Sequence, residues 1–333
     1  MPDTCGRYVA RVSARPRIVC PSGEGGLAAL FDASPLRERL EAVGDLTVHL
    51  DVPDDAQVRA RLADADAGLL STHLTSDTLR AIGGRTRLLA FTGTGAASYV
   101  DLPTAREHGI AVSNVTGYGD RAVAEHALAL LLGAARSVAV GDRTVRAGDW
   151  SGMLGPELGG MRIGVVGFGG IGRTFAQIAA ALGMHVHAWD RSPHPDLTAL
   201  AGPDARWLEL DELLATCDAV SLHLPLTPQT RGLLTLERLD LLRPGTILVN
   251  TARGELIAPG ALATRLARGD LLAAIDVFDP EPLPADDPLL QAPGTTFTPH
   301  LGFRTPQALR RMAEGTVECV ERFFAGDPVR IVN

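Results

Sequence analysis

A glycine-rich turn stands between a strand and a helix in the middle of this chain and limits the folds open to it. Met161 to Val166 is an apolar run of strand length, and Ile171 to Leu182 has helical composition. Gly167, Gly169 and Gly172 stand between them. The spacing suits a dinucleotide loop: the first glycine permits the tight turn, and the second lets backbone N–H groups approach a pyrophosphate. The third packs helix on strand, and the phosphates would sit at the helix N-terminus, where free N–H groups and the dipole favour an anion. The same string also occurs in S-adenosylmethionine enzymes and in plain tight turns, so its context matters. Asp190 ends the next strand, His185–Asp190, where a carboxylate would accept from ribose hydroxyls and repel a 2′-phosphate. That favours NAD over NADP. Arg191 beside it keeps NADP as the alternative, because a guanidinium could hold that phosphate if Asp190 turned away.

Strands alternate with helices on either side of this turn. From Arg17 to about Val115 the strands are Arg17–Cys20, Leu46–Leu50, Gly68–Ser71, Leu88–Phe91 and Ile110–Ser113, separated by helical stretches such as Pro35–Val43 and Ala56–Ala63. From Met161 to about His300 they are Arg162–Val166, His185–Asp190, Ala219–Leu222, Thr246–Asn250, Ala273–Asp276 and Thr296–Thr298. Such alternation predicts parallel sheets covered on both faces, an α/β class with two domains. A length of 333 residues suits two cores better than one. Between the two regions, Arg121–Val138 reads as one long helix, apolar nearly all round and therefore buried in a junction or against a second subunit. Gly148 to Gly160 reads as an extended arm anchored by Trp150, and Thr305–Phe324 as a closing helix.

Composition narrows the chemistry. The formal charge of −8 argues against nucleic acid as a partner. No run approaches the ~20 apolar residues of a membrane helix, and the stretch before Arg17 lacks a signal-peptide core, so a cytoplasmic protein with a frayed N-terminal extension is expected. Cys5, Cys20, Cys217 and Cys319 show neither disulfide nor zinc spacing, so no metal is expected. The chain has no lysine, which excludes Schiff-base chemistry and a lysine proton donor.

Three groups follow three strand ends of the second region: Arg253 after Thr246–Asn250, Glu281 after Ala273–Asp276, and His300 after Thr296–Thr298. Open α/β sheets bind ligands beyond the carboxyl ends of their strands, so the three converge on one crevice. A fixed cation, a carboxylate and an imidazole are what is needed to hold a 2-oxo acid and move a proton at its C2 oxygen.

At this point the chain resembles the D-isomer-specific 2-hydroxyacid dehydrogenase family. The strings are Ile163-Gly-Val-Val-Gly-Phe-Gly-Gly-Ile-Gly with Val186-His-Ala-Trp-Asp190, His223-Leu-Pro-Leu-Thr-Pro-Gln-Thr-Arg-Gly, Leu242-Arg-Pro-Gly-Thr-Ile-Leu-Val-Asn-Thr-Ala-Arg-Gly, Ala274-Ile-Asp-Val-Phe-Asp-Pro-Glu-Pro, Thr298-Pro-His-Leu-Gly and Val123-Ala-Glu-His-Ala. The resemblance covers nearly all of Arg17 to Phe324. It implies a Rossmann-type NAD-binding domain, 116–299, inserted into a smaller flavodoxin-like substrate domain, 1–115 with 300–333, and a cleft that closes by hinge motion. It implies that Arg253 clamps the substrate carboxylate and C2 oxygen, that His300 is the acid/base, and that Glu281 holds its imidazole and keeps a proton available near neutrality. By the same resemblance Gly170 and Ile171 face the pyrophosphate, Asp276 meets the nicotinamide carboxamide, and Pro225, Thr230, Thr251 and Ala252 line the cofactor cleft. Thr94 and Gly95, in Phe91-Thr-Gly-Thr-Gly-Ala-Ala-Ser-Tyr-Val-Asp, would offer backbone N–H groups to the substrate, with His73 nearby. The long helix and the arm match the family's homodimer-forming region.

Departures from the family bear on the substrate. Phosphoglycerate dehydrogenases present arginines where this chain reads Ser71-Thr-His-Leu-Thr, and no regulatory C-terminal domain is expected after His300. A small or apolar acid, of the glyoxylate or hydroxypyruvate kind, is therefore favoured over phosphoglycerate. Two other readings share the fold: an NAD-sensing interaction protein like the family's co-repressors, and a pathway dehydrogenase for an unusual acid.

Overall fold

Short strands, most of them buried and each followed by a helix, pair in parallel, and the chain builds two such sheets. The structure, a computed structural model, describes residues 15–192 and 194–333. Cys5 and the extension expected before Arg17 fall almost wholly outside the described residues. The chain divides into a unit of Met1–Tyr118 with Thr305–Asn333 and a unit of Gly119–Arg304.

In the first unit the strands are β1 (Arg17–Cys20), β2 (Asp45–Val48), β3 (Ala67–Leu70), β4 (Leu88–Phe91) and β5 (Ala111–Ser113), in the order β2-β1-β3-β4-β5 with every pair parallel. That is the flavodoxin-like order. β3 and β4 are buried along their whole length, whereas the edge strand β2 is half exposed. The helix Pro306–Phe324 lies against β4 and the helix Leu36–Val43, burying Met312, Val317, Val320 and Phe323, with Arg39 paired to Glu321 at 2.6 Å. Val112 N–H donates to Asn333 Oδ1 at 2.9 Å, tying the last residue to β5. These contacts are why the end of the chain belongs to the unit built by its beginning.

The second unit holds β6 (Arg162–Val166), β7 (His185–Trp189), β8 (Arg206–Trp207), β9 (Ala219–Leu222), β10 (Ile247–Asn250), β11 (Leu272–Ile275) and β12 (Thr295–Phe297). Their order is β12-β11-β10-β9-β6-β7-β8, all parallel. The order reverses between β6 and β9, which is the switch point of a Rossmann-type sheet. Successive side chains of a strand face opposite ways, so Ile163, Val165, Ile247 and Val249 join one core while Val166, Val220, Leu248 and Ile275 join the other. The helix Asp120–Ala135 contributes Ala124, Ala127, Leu130, Leu131 and Ala134 to the first core and lies against the helix Gly170–Ala181.

Three expectations need correction. The helix expected over Arg121–Val138 stops at Ala135; Ser137 takes a left-handed φ of 49°, and a second helix, Val138–Arg146, leaves at 59° with no buried residue. Trp150, 88% exposed, is not an anchor against the described residues. The expected domain limits at 115 and 300 shift to Tyr118 and Thr305; Leu301 and Gly302 stay with the second unit because their N–H groups bond to Asp276. Among the described residues no single helix is long and apolar enough to cross a membrane.

Candidate active site

The glycine turn sits at the switch point. Gly167 has φ +100°, and a Cβ there would come within 2.8 Å of the His223 backbone at the end of β9. Gly172 leaves no room either, because its Cβ would meet the Gly167 carbonyl oxygen at 2.0 Å. Gly169, by contrast, faces open space. The N–H groups of Gly170, Ile171 and Gly172 begin the helix Gly170–Ala181 and have no intrahelical acceptor by position. Asp190 turns its carboxylate onto this loop, accepting from Phe168 N–H at 2.7 Å, while Arg191 is exposed. A Cβ on Gly170 would strike the carboxylate of Asp120, so an acid lies against the start of this helix.

Arg253 and Glu281 are brought together by the turns that follow β10 and β11. Asn250 holds the first turn, with Nδ2 donating to the Arg253 carbonyl at 2.9 Å and Oδ1 accepting from Ala252 N–H at 3.0 Å. Gly254 packs so closely on the next turn that a Cβ would come 2.6 Å from the Phe278 carbonyl oxygen. In that turn Phe278 N–H donates to Glu281 Oε1 at 2.9 Å, and Glu281 Oε2 accepts from His300 Nδ1 at 2.7 Å. Burial acts to raise the Glu281 pKa, but the hydrogen bonds from His300 and Phe278, with the charges of His300 and Arg253, outweigh it and hold the carboxyl below its ordinary range. An ionised carboxylate only accepts, so Nδ1 carries the hydrogen and Nε2 is the nitrogen left for exchange.

His300 itself has a left-handed φ of 53°. Asp276, 1% exposed at the end of β11, governs that turn: its carbonyl accepts from His300 N–H at 2.8 Å, and its carboxylate accepts from Leu301 and Gly302 N–H at 2.8 and 2.9 Å. Burial would raise the Asp276 pKa; hydrogen bonds from His126, Thr298, Leu301 and Gly302 lower it overall.

The remaining expected residues fall in three places. Thr251 is buried at the end of β10, its Oγ1 without a hydrogen-bond partner among the described residues, and Ala252 follows half-buried. Thr230 donates its hydroxyl to the Pro225 carbonyl at 2.7 Å, closing the turn after β9. His73, Thr94 and Gly95 belong to the first unit, on the loops after β3 and β4, which are joined by Leu74 N–H donating to the Tyr99 carbonyl at 2.9 Å. His73 stacks on Tyr99 at 4.2 Å. Among the described residues neither the Thr94 nor the Gly95 N–H finds a protein acceptor.

Two histidines escaped the sequence reading as functional groups. His223 is buried beside Gly167; Nε2 meets Ser221 Oγ at 2.9 Å, Nδ1 has no partner among the described residues, and burial pushes its pKa down to about 3. His126 lies within 3.2 Å of Asp276 Oδ1 and 3.0 Å of Thr298 Oγ1. Its string was legible, but nothing along the chain indicates a partner 150 residues away.

Comparison with known proteins bears on this arrangement. Residues 128–302 match the family model described as D-isomer specific 2-hydroxyacid dehydrogenase, NAD binding domain. A hydroxypyruvate reductase of Blautia hydrogenotrophica is 35% identical over 309 residues, spanning 88% of this chain and 94% of its own. A D-3-phosphoglycerate dehydrogenase of Mycobacterium tuberculosis is 39% identical over 282 residues; the match spans 84% of this chain but only 53% of that protein. Among solved structures, an acyclic imino acid reductase in complex with NADPH and D-Arg is similar at TM-score 0.82 and 27% identity, covering 95% of this chain and 100% of that one. The chain belongs to the D-isomer specific 2-hydroxyacid dehydrogenase family.

Proposed function

We propose that the protein interconverts a small 2-oxo acid and its D-2-hydroxy acid with NAD(H). The observation that carries this reading is the Glu281–His300 hydrogen bond at the carboxyl end of the sheet, with the Arg253 charge bearing on the same carboxylate. Arg253 clamps the substrate carboxylate and the C2 oxygen through its planar fork. His300 Nε2 gives a proton to that oxygen during reduction and takes one back during oxidation, while Glu281 fixes the ring through Nδ1. When bound, the nicotinamide supplies the hydride for C2 and accepts it in the reverse direction.

The chain's residues suit a dinucleotide. Open space over Gly169 and the first-turn N–H groups of Ile171 and Gly172 favour a pyrophosphate, with the Asp120 carboxylate against Gly170 as the opposing consideration. The Thr251 hydroxyl favours a polar partner beside Ala252, Pro225 and Thr230, whereas the Asp276 carboxylate, 1% exposed, is committed to the turn that carries His300. Asp190 held at the loop supports NAD over NADP, with the exposed Arg191 as the opposing consideration.

The absence of arginine from Ser71–Thr75, with unengaged N–H groups at Thr94 and Gly95 and the exposed His73, supports a glyoxylate- or hydroxypyruvate-like acid over phosphoglycerate. Exposed Val138, Val145, Trp150, Met153 and Leu154 support a homodimer formed through the second helix and the arm. Buried free thiols at Cys20, Cys217 and Cys319 support a reducing, cytoplasmic setting. The test is NADH and NADPH oxidation by the purified protein against glyoxylate, hydroxypyruvate, longer 2-oxo acids and 3-phosphohydroxypyruvate. Turnover of a small acid with NADH is expected. A clear preference for the phosphorylated acid would overturn the substrate reading, and NADH binding without turnover of any acid would favour an interaction protein.

A further inference from the structure

We propose that His126, on the Asp120–Ala135 helix, is a positioning residue for the His300 imidazole and acts through Asp276 and Thr298. The inference rests on His300 as the proton carrier. Its starting point is the backbone: a non-glycine residue at φ +53° is held there only by its surroundings. The Thr298 carbonyl shares the His300 N–H at 3.1 Å and Glu281 holds the ring, but Asp276 makes most of the backbone bonds of this turn. Asp276 takes the His300 N–H on its carbonyl and the next two N–H groups, Leu301 and Gly302, on its carboxylate.

The carboxylate is itself fixed from the opposite side. Asp276 Oδ1 accepts from Thr298 Oγ1 at 2.5 Å and lies 3.2 Å from His126 Nε2, which is also 3.0 Å from Thr298 Oγ1. An ionised carboxylate cannot donate, so the shared hydrogen is on His126 Nε2, directed at both oxygens. Gly302 completes the packing: a Cβ there would lie 3.1 Å from Asp276 Oδ2 and 3.6 Å from His126 Cδ2. Removing the His126 donor leaves the buried Asp276 free to re-aim toward its remaining donors, and the turn carrying His300 moves with it. Nothing about His126 requires contact with substrate; its effect is on where Nε2 of His300 stands.

A double-mutant cycle separates this from a merely structural role. His126→Leu is expected to lower kcat for 2-oxo acid reduction by about 10- to 100-fold, as a displacement of about 1 Å at a reacting group does, with the NADH Kd changed less than about two-fold. His126→Gln, whose amide nitrogen can donate to the same oxygens, should recover most of that loss. In a His300→Ala background His126→Leu should cost less than about two-fold more, since there is no imidazole left to position. Equal fold losses in both backgrounds would overturn the proposal, as would full activity of His126→Leu. If His126→Leu does not fold, Thr298→Val is measured in the same two backgrounds and read by the same criteria. A His300→Ala protein with full activity would instead defeat the acid/base reading itself, a result visible in that single variant and fatal to both.

Discussion

Acidification should weaken the nucleotide-binding unit through His223. The imidazole is buried beneath the glycine turn, and desolvation moves its pKa from 6.5 to about 3. Its folded-state pKa therefore lies below its unfolded one, so the unfolded chain binds the extra proton first. The stability associated with a neutral His223 is complete above pH 6.5 and is lost as pH falls from 6.5 toward 3. Between these limits the slope is about 1.4 kcal/mol per pH unit, and the loss from pH 7 to pH 5 is about 2 kcal/mol. The three tryptophans, Trp150, Trp189 and Trp207, all belong to the Gly119–Arg304 unit, so their fluorescence reports its unfolding selectively. Urea unfolding of the wild type and His223→Gln at pH 7, 6 and 5 gives two pH slopes. Whatever the variant's stability at pH 7, its slope should be shallower, with the difference reaching about 2 kcal/mol at pH 5. Parallel slopes would refute the neutral, buried imidazole.

Two further substitutions probe the cofactor loop. Gly167→Ala forces a Cβ into the His223 backbone at φ +100° and should destabilise the unit by about 1–3 kcal/mol or more, whereas Gly169→Ala, which faces open space, should fold normally and weaken NADH binding by fluorescence titration; the reverse pattern would contradict the roles given to the two glycines. Asp190→Ala should lower the NADH-to-NADPH ratio of kcat/KM, mainly by relieving repulsion of the 2′-phosphate near Arg191, and an unchanged ratio would remove Asp190 from the specificity argument.

The fold was legible because its signals are local. β1, β4, β6 and β9 have the limits their apolar runs predict, and the glycine turn stands where strand composition gives way to helix composition. β8 was missed because two residues, Arg206 and Trp207, carry no periodicity. The break after Ala135 was missed because it has neither proline nor glycine; the left-handed turn falls on Ser137, and the apolar composition runs on into Val138. At the site, strand ends predict which residues reach the carboxyl edge. They cannot predict that Asn250 braces the Arg253 turn, that Gly254 seats it on Phe278, or that His126 reaches Asp276 from another helix. Those links join segments far apart along the chain, and only tertiary packing sets them.

In the proposed reaction His300 Nε2 exchanges the proton at C2 while Glu281 holds the ring. The most direct test of that assignment is single-turnover NADH oxidation with saturating 2-oxo acid, followed across pH for the wild type, His300→Ala and Glu281→Gln. Normal NADH binding is expected in all three, with a loss of about 10²–10⁴-fold in the hydride-transfer rate for His300→Ala and a lower rate for Glu281→Gln. A His300→Ala protein that transfers hydride at the wild-type rate with the wild-type pH profile would contradict that assignment.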